Sequence, residues 1–264
     1  MLVCTLGDLL LDVIVRLDAP LAAGDDSTAQ TTLAPGGQAA NAAAWAADLG
    51  AGARIVAVRS GGDVGAIVER ELARRGVDVC GPEGERTGVV VSLVEPGGDR
   101  TMASDRGTAP TLRPQDLESG WLSCDILHIS GYALMREPIA SAAVQAAAAA
   151  REGGARVSAD LSSWTHVERY GGTMRPALES VAPDIVFGNE REWQSLGGFD
   201  ATTRIVKRGA RGIAVDGVEH AARPAAVVDT TGAGDALAAG FLVGGTGLAL
   251  DAAARCVSQV GAMP

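Results

Sequence analysis

Short apolar runs alternate with helical stretches along most of the chain, and this rhythm limits the fold more than any other feature. LVCTLG (2–7) reads as a buried strand, and QAANAAAWAADLGA (38–51) as a helix that stops at Gly50. RIVAVRS (54–60) is strand-like again, and DVGAIVERELARRG (63–76) is an amphipathic helix ending at Gly76. The pattern returns as strand DILHIS (125–130), a helix over 137–154 with Pro138 in its first turn, and strand ARVSAD (155–160). Helix PALESVA (176–182), strand DIVFGN (184–189) and helix EREWQSL (190–196) follow. TRIVKRG (203–209) and GIAVDG (212–217) read as strands around a glycine-flanked turn, with helices over 233–244 and 249–260 after them. Such alternation argues for a mainly parallel sheet covered by helices.

Two segments break the rhythm. Residues 86–105 hold two strand-like runs around Pro96-Gly97-Gly98-Asp99, a hairpin signal. Residues 11–34 are also rich in strand and turn signals, and LDVIVRLD (11–18) alternates as a half-exposed strand does. Both are expected to pair into a small sheet, a lid projecting from the body of one α/β domain that spans 1–264.

A chain of 264 residues is long enough to bury a substantial core, and with aromatics at only 3% that core must rest on Ala, Val, Leu and Ile. The net charge of −10, without any basic run, argues against nucleic acid or an anionic membrane surface as partner. No apolar run approaches the 18 residues of a membrane span, and MLVCTLGDLLLDVIV lacks the basic start and cleavage site of a signal peptide. Cys4, Cys80, Cys124 and Cys256 show no CxxC spacing, so free thiols in a reducing compartment are expected. Together these features point to the cytoplasm.

The stretch VVDTTGAGDALAAGF (227–241) carries the clearest chemistry. Gly232, Ala233 and Gly234 leave their N–H groups bare where a helix begins, and those first amides have no intrahelical partner. With the helix dipole they form a cradle for a phosphoryl group. Asp235 beside it can remove a proton from a hydroxyl nucleophile, a contribution of ~10²–10⁴-fold. The blander alternative is a first-turn acid that stabilises the dipole by ~0.3–1 kcal/mol. GxxxxGK[ST] is absent, and the dinucleotide fingerprint fails because Leu237 stands where its third small residue belongs. In sheets of this kind ligands gather at the carboxyl ends of strands. Asp8, Asp12, Gly36-Gly37, Asp160, Asn189, Gly209 and Gly232–Asp235 all fall at such ends.

On these residues the sequence resembles the ribokinase (PfkB) family of carbohydrate and nucleoside kinases. VVDTTGAGDALAAGF is similar to the family's C-terminal signature and GGQAANAAAWAADLGA (36–51) to its N-terminal one; GGDVGAIVERELARRGVDV and FGNERE match intermediate motifs. The resemblance runs in order along nearly the whole chain. It implies a ribokinase-like three-layer α/β/α fold with a mainly parallel central sheet and a small β-sheet lid. It further implies an ATP-dependent kinase with Mg²⁺, and K⁺ in some members. Asp235 would be the catalytic base, and Gly232, Ala233 and Gly234 the anion hole. Asp12, Gly36, Gly37, Gln38 and Asn41 would contact the acceptor, and Arg106 would reach the transferring phosphate or the acceptor unless it is a surface arginine. Asn189 and Glu192 would organise Mg²⁺ and phosphate through water, since Mg²⁺ keeps much of its hydration shell; a helix cap is the alternative for Asn189. Lys207, Gly209, Gly212 and Ser258 would lie along the nucleotide, and Asp229 and Thr231 at the monovalent-cation position. The chain is short for the family, which implies a trimmed edge to the adenine pocket. The D-x-N-x-R pattern is degraded to DLSSW (160–164), which loosens any link to a particular phosphosugar.

The leading reading is transfer of the γ-phosphoryl group to a hydroxyl of a ribose-like or hexose-like sugar. A nucleoside kinase of the same fold is the alternative, and a silent sugar- or nucleotide-binding sensor a third; a dehydrogenase has only the α/β rhythm in its favour. No run of basic residues marks a phosphorylated acceptor, so an uncharged one is expected, and few aromatics favour a sugar over a nucleoside. His128, His166 and His220 match no motif and read as structural or exposed. Tyr132 and Trp164 lie near strand ends, where core packing competes with a role as pocket wall. The exposed edges of the lid need covering, which predicts a homodimer through the lid.

Overall fold

The computed structural model describes residues 1–22, 24–97 and 100–264, so Gly98 and Asp99 of the expected hairpin turn lie outside the described residues. Among the described residues nine strands form the main sheet. Six are mutually parallel in the order β12 (Ile185–Asn189), β11 (Arg156–Asp160), β10 (Ile126–Ser130), β1 (Leu2–Leu6), β4 (Gly52–Val56) and β6 (Val77–Cys80). Beyond β12 come parallel β13 (Thr203–Lys207), then antiparallel β14 (Ile213–Val215) and β15 (Val218–His220). The predicted strand 54–60 is divided, because its end Arg59–Ser60 (β5) leaves the sheet to pair with Glu83–Gly84 (β7).

Alternation along each strand sends side chains to two helical layers. Cys4, Leu6, Leu127, Ile129 and Val157 pack against α3 (Ile139–Glu152), α4 (Trp164–Val181) and α5 (Glu190–Leu196). Val3, Ala53, Ile55 and Val77 turn the other way, to α1 (Gln38–Asp48), α2 (Gly62–Arg74) and α6 (Ala233–Val257). The paucity of aromatics is met by small residues. Ala39, Ala40, Ala43 and Ala44 of α1 and Ala236, Ala239 and Ala252 of α6 are buried in one cluster, so the two helices approach closely.

Two helices differ from expectation. Helix α4 begins twelve residues before PALESVA, at Trp164. Gly171, Gly172 and Pro176 disguise it in the sequence, yet Val167, Met174, Leu178 and Val181 fall on one buried stripe that holds it against the sheet. Helix α6 is one element interrupted at Gly244 and Gly245, whose φ of −148° and +75° separate two helical halves near the predicted boundary. By length and composition α6 could cross a membrane, but half of its apolar window is buried inside the protein.

A second sheet stands over the carboxyl ends of the parallel strands. Its order is β3 (Ala29–Gly36), β2 (Leu10–Leu17), β8 (Gly88–Val94) and β9 (Arg100–Asp105). Leu11 and Val13 pack into the α1/α2 cluster, while Asp12, Ile14, Ser92, Met102 and Arg100 look into a cavity against the body. Both outer strands are largely exposed, with Leu33 at 56% and Met102 at 53%. All four thiols are free; Cys4 and Cys256 are buried and the other two half-buried.

Candidate active site

The turn into α6 fixes the first group. Gly232 is the N-cap with φ 75°, and a Cβ there would lie 2.6 Å from Ala262, so only glycine fits without moving the C-terminal loop. Asp235 N and Ala236 N turn back to Gly232 O at 3.0 and 2.9 Å, and Ala233 N reaches Thr230 O at 3.4 Å. The Gly232 and Gly234 amides have no acceptor among the described residues, and both sit at the positive end of the helix.

Asp235, in the first turn, accepts a hydrogen bond from Asn41 Nδ2 at 2.8 Å. Burial deep in the cleft pushes its carboxyl up to about 7, with Asp160 adding to the effect and Asn41, Lys207 and Gln38 opposing it. A carboxylate tuned to that range can take a proton near neutrality and release it again. Asn41 is itself 7% exposed, and its Oδ1 has no partner among the described residues, which leaves a buried acceptor beside Asp235.

Lys207, at the end of β13, donates to both oxygens of Asp160 at 2.9 and 2.8 Å. Burial works against its ammonium, but Asp160 and Glu192 more than offset this and hold it above the ordinary lysine range. Its Nζ lies 3.3 Å from where a Cβ on Gly234 would be, so the charge sits beside the bare amides. The cap alternative for Asn189 is what the structure contains. Its Oδ1 accepts from Glu192 N at 2.8 Å, while Glu192 accepts from Asn189 N and Nδ2, both at 2.7 Å. Burial also pushes the Glu192 carboxyl up.

A cleft of about 550 Å³ opens beside these groups, lined by Lys207, Gly209, Gly212, Gly234, Leu250 and Val257. Gly212 has φ 90°, and a Cβ would come within 2.0 Å of His220 O. The largely apolar lining, with bare amides and Lys207 at one end, suits a ligand with an apolar body and an anionic end. Ser258 is not on this wall: its hydroxyl donates to Ala254 O at 2.8 Å at the end of α6, and Ala254 and Val257 line the cleft in its place.

On the lid side lies a cavity of about 210 Å³ that includes Asp12, Arg100, Asp229, Thr231 and Met263. Burial pushes Asp12 up to about 7 against the pull of Arg100. Gly36 is required beside it, since a Cβ would lie 2.0 Å from Asp12 Oδ1, and Gly37 has φ 101° with its Cβ position 2.3 Å from Asp8 O. Gln38 Oε1 accepts from Ser130 Oγ at 2.6 Å and Ser162 Oγ at 2.5 Å, and Arg106 pairs with Asp8.

Asp229 and Thr231 give a different picture from the cation position that the resemblance implied. Asp229 accepts from Thr231 N at 2.9 Å, Thr231 Oγ1 at 2.5 Å and Gly261 N at 3.1 Å, and Arg100 of the lid stands 3.6 Å away. A guanidinium already opposes this carboxylate, so the residues do not fit a bound K⁺. For Mg²⁺ the donors are single carboxylates, and no cluster of three His, Cys, Asp or Glu ligands exists among the described residues. That set fits an ion carried on phosphates with its own waters, with Glu192 nearby.

The fold brings the expected residues of α1, α6, β2 and β13 into one region, with Ser258 outside it. Asp8, Arg100, Ser130 and Ser162 join them. Asp8 stood out only as a strand-end acid, Ser162 only as part of the degraded DLSSW pattern, and Arg100 and Ser130 carry no motif; sheet order makes them neighbours. His128 is structural, buried against Phe187 and bonded to Ser158 Oγ at 2.9 Å, with burial pushing its imidazole down to about 4.

A model of the pfkB family carbohydrate kinases matches residues 1–263. An ATP-dependent ribose-1-phosphate kinase of Halopiger xanaduensis is 30% identical over 249 residues, 88% of this chain and 80% of the relative. A fructokinase of Escherichia coli is 30% identical over 280 residues, 94% of this chain and 86% of that one. The crystal structure of adenosine kinase from Sinorhizobium meliloti superposes with a TM-score of 0.86 at 27% identity, covering 99% of this chain and 95% of that chain.

Proposed function

The chain belongs to the pfkB family of carbohydrate kinases, and from that premise we propose that it moves the γ-phosphoryl group of ATP to a hydroxyl of a ribose-like or hexose-like sugar. Family membership makes it a sugar or nucleoside kinase, a phosphotransferase. The observation that carries the finer reading is the placement of Asp235. It is held by Asn41, tuned to about 7, and set one residue beyond amides that have no acceptor.

The nucleotide lies in the 550 Å³ cleft with its phosphates toward Gly232–Gly234 and Lys207. The acceptor lies under the lid, with Asp12, Asn41 Oδ1 and the Gly36-Gly37 backbone taking its hydroxyls. The attacking hydroxyl gives its proton to Asp235 as its oxygen bonds to phosphorus, and the bond to the β-phosphate oxygen breaks. The bare amides and Lys207 meet the charge that spreads over the equatorial oxygens. Mg²⁺ on the phosphates would supply further charge neutralisation, with Glu192 and Asn189 ordering its water shell. The lid excludes water, which would otherwise compete as acceptor.

Arg100 takes the place of K⁺ beside Asp229, so turnover is independent of K⁺. The exposed outer strands β3 and β9 support pairing of two lids in a homodimer; light scattering that finds a monomer at micromolar concentration refutes it. ATP as co-substrate fits a cytoplasmic protein. The general test is a turnover screen with Mg-ATP over sugars and nucleosides. Ester formation on a sugar is expected, and ligand binding without any ester contradicts the reading.

A further inference from the structure

Three arginines scattered in the sequence converge on one aromatic floor. The guanidinium carbon of Arg106 lies 4.0 Å from the ring centre of Tyr132. Those of Arg136 and Arg169 lie 4.8 and 5.5 Å from the ring centre of Tyr170. His166 joins the two rings, edge-on to Tyr132 at 5.4 Å and stacked on Tyr170 at 5.9 Å. Arg136 Nη2 also donates to the Tyr170 hydroxyl at 2.5 Å.

The cluster carries an excess of positive charge. Asp8 pairs with Arg106, but Arg136 and Arg169 have no ion pair among the described residues. Their neighbours in sequence are turned elsewhere, Glu137 to Ser141 N and Glu168 to Ser195 Oγ. All three guanidiniums border His166, whose imidazole is driven below its ordinary range by burial and then by Arg106, Arg136 and Arg169.

The cluster adjoins the acceptor side of the site, because Arg106 pairs with Asp8, whose carbonyl stands against Gly37. Tyr132 follows directly on Ser130 and Gly131 at the end of β10, where Ser130 binds Gln38. Its phenol is pushed up by burial, pulled down by Arg106, and pushed up again by Asp235, Glu192 and Asp160, so it lies within electrostatic reach of both groups.

We propose that the acceptor already bears a phosphate monoester, which docks on Arg106, Arg136 and Arg169 while a free hydroxyl of the same sugar faces Asp235. The substrate is a sugar monophosphate and the product a bisphosphate. This rests on the kinase reading above and sets its substrate class. A neutral sugar would leave two guanidiniums unmatched. A phosphate dianion offers three acceptor oxygens to three planar donors and to the Tyr170 hydroxyl. A carboxylate has two oxygens and one charge, and matches the set less well. The expectation of an uncharged acceptor counted bases along the sequence, whereas the fold collects them from the end of the lid, the turn before α3 and the second turn of α4.

The test uses ribose 1-phosphate and fructose 6-phosphate, gluconate as a sugar acid, and ribose and fructose as neutral sugars. Turnover with Mg-ATP is measured for the wild type and for Arg136→Gln/Arg169→Gln, and binding of each probe without ATP is measured by calorimetry. A monophosphate should exceed its neutral parent in kcat/KM by about 100-fold or more. The double variant should lose about tenfold or more of this, mostly through KM, with ATP affinity unchanged. The His166 imidazole should move upward on binding of a sugar phosphate, read by NMR, and should not do so in the double variant. Turnover of neutral sugars or gluconate at equal or greater efficiency overturns the inference and leaves the kinase standing. Arginine-dependent phosphate binding with no turnover of any probe supports the subsite and overturns the kinase reading.

Discussion

Replacing Asp235 by Asn should make the protein more stable and inactive at once. The cleft holds this carboxyl at about 7 against an ordinary 3.8, chiefly through burial. A raised value means that protonation favours the folded state. The stability this group allows is complete below about pH 4 and is lost as pH rises through about 7. The displacement is worth about 4 kcal/mol once both states are fully ionised. Asn keeps the shape and still accepts from Asn41, and it carries no charge into the cleft. Contact of Asp235 with solvent trims the gain, so urea unfolding at pH 8.5 should show about 2–4 kcal/mol in favour of the variant. That corresponds to a rise in Tm of about 5–10 °C for a chain of this size. At pH 4.5 the advantage should fall below about 1.5 kcal/mol, because the folded wild type is then protonated at this site. A variant no more stable than the wild type at pH 8.5, or equally favoured at both pH values, would refute the claim that a costly carboxylate is kept here for chemistry.

The same acid sets the pH dependence of turnover: kcat/KM should climb as pH rises through about 7 and level off above it, and a profile already flat at pH 5 excludes Asp235 as the base. Gly232→Ala must either strain a φ of 75° or displace Ala262, so kcat should fall about 10²–10³-fold with a stability loss of about 1–3 kcal/mol, read by turnover and urea unfolding. Arg100→Ala should leave Asp229 without its opposing charge, giving an enzyme that K⁺ activates while the wild type ignores K⁺; equal behaviour of the two removes the role given to Arg100. Leu33→Glu combined with Met102→Glu should convert a lid-paired dimer to a monomer in light scattering.

Local patterns made much of the fold legible. The alternation of strand and helix, the glycine stops and the hairpin signal each act over a few residues, and the elements they predict form. Helix α4 escaped because two glycines and a proline lowered its apparent propensity, while its stability comes from a buried stripe that only the sheet makes visible. Strand β15 was too short to register. In the site, Gly232–Asp235 and Gly36-Gly37 were readable because backbone geometry demands those residue types. Asp12 stood out as a strand-end acid, and Asn41 and Lys207 were reached through family resemblance. The pairing of Lys207 with Asp160, the approach of Arg100 to Asp229 and the gathering of Arg106, Arg136 and Arg169 depend on which strands and helices become neighbours. No spacing in the sequence encodes that.

Phosphorus NMR of the reaction mixture tests the central claim most directly, following Mg-ATP and a sugar acceptor with the wild type and with Asp235→Asn. The account predicts one new phosphate ester for each ADP formed by the wild type. It predicts none above about one thousandth of that rate from the variant, which should still bind ATP with unchanged affinity. Ester formation by the variant within tenfold of the wild type, or release of inorganic phosphate in place of an ester by the wild type, would contradict it.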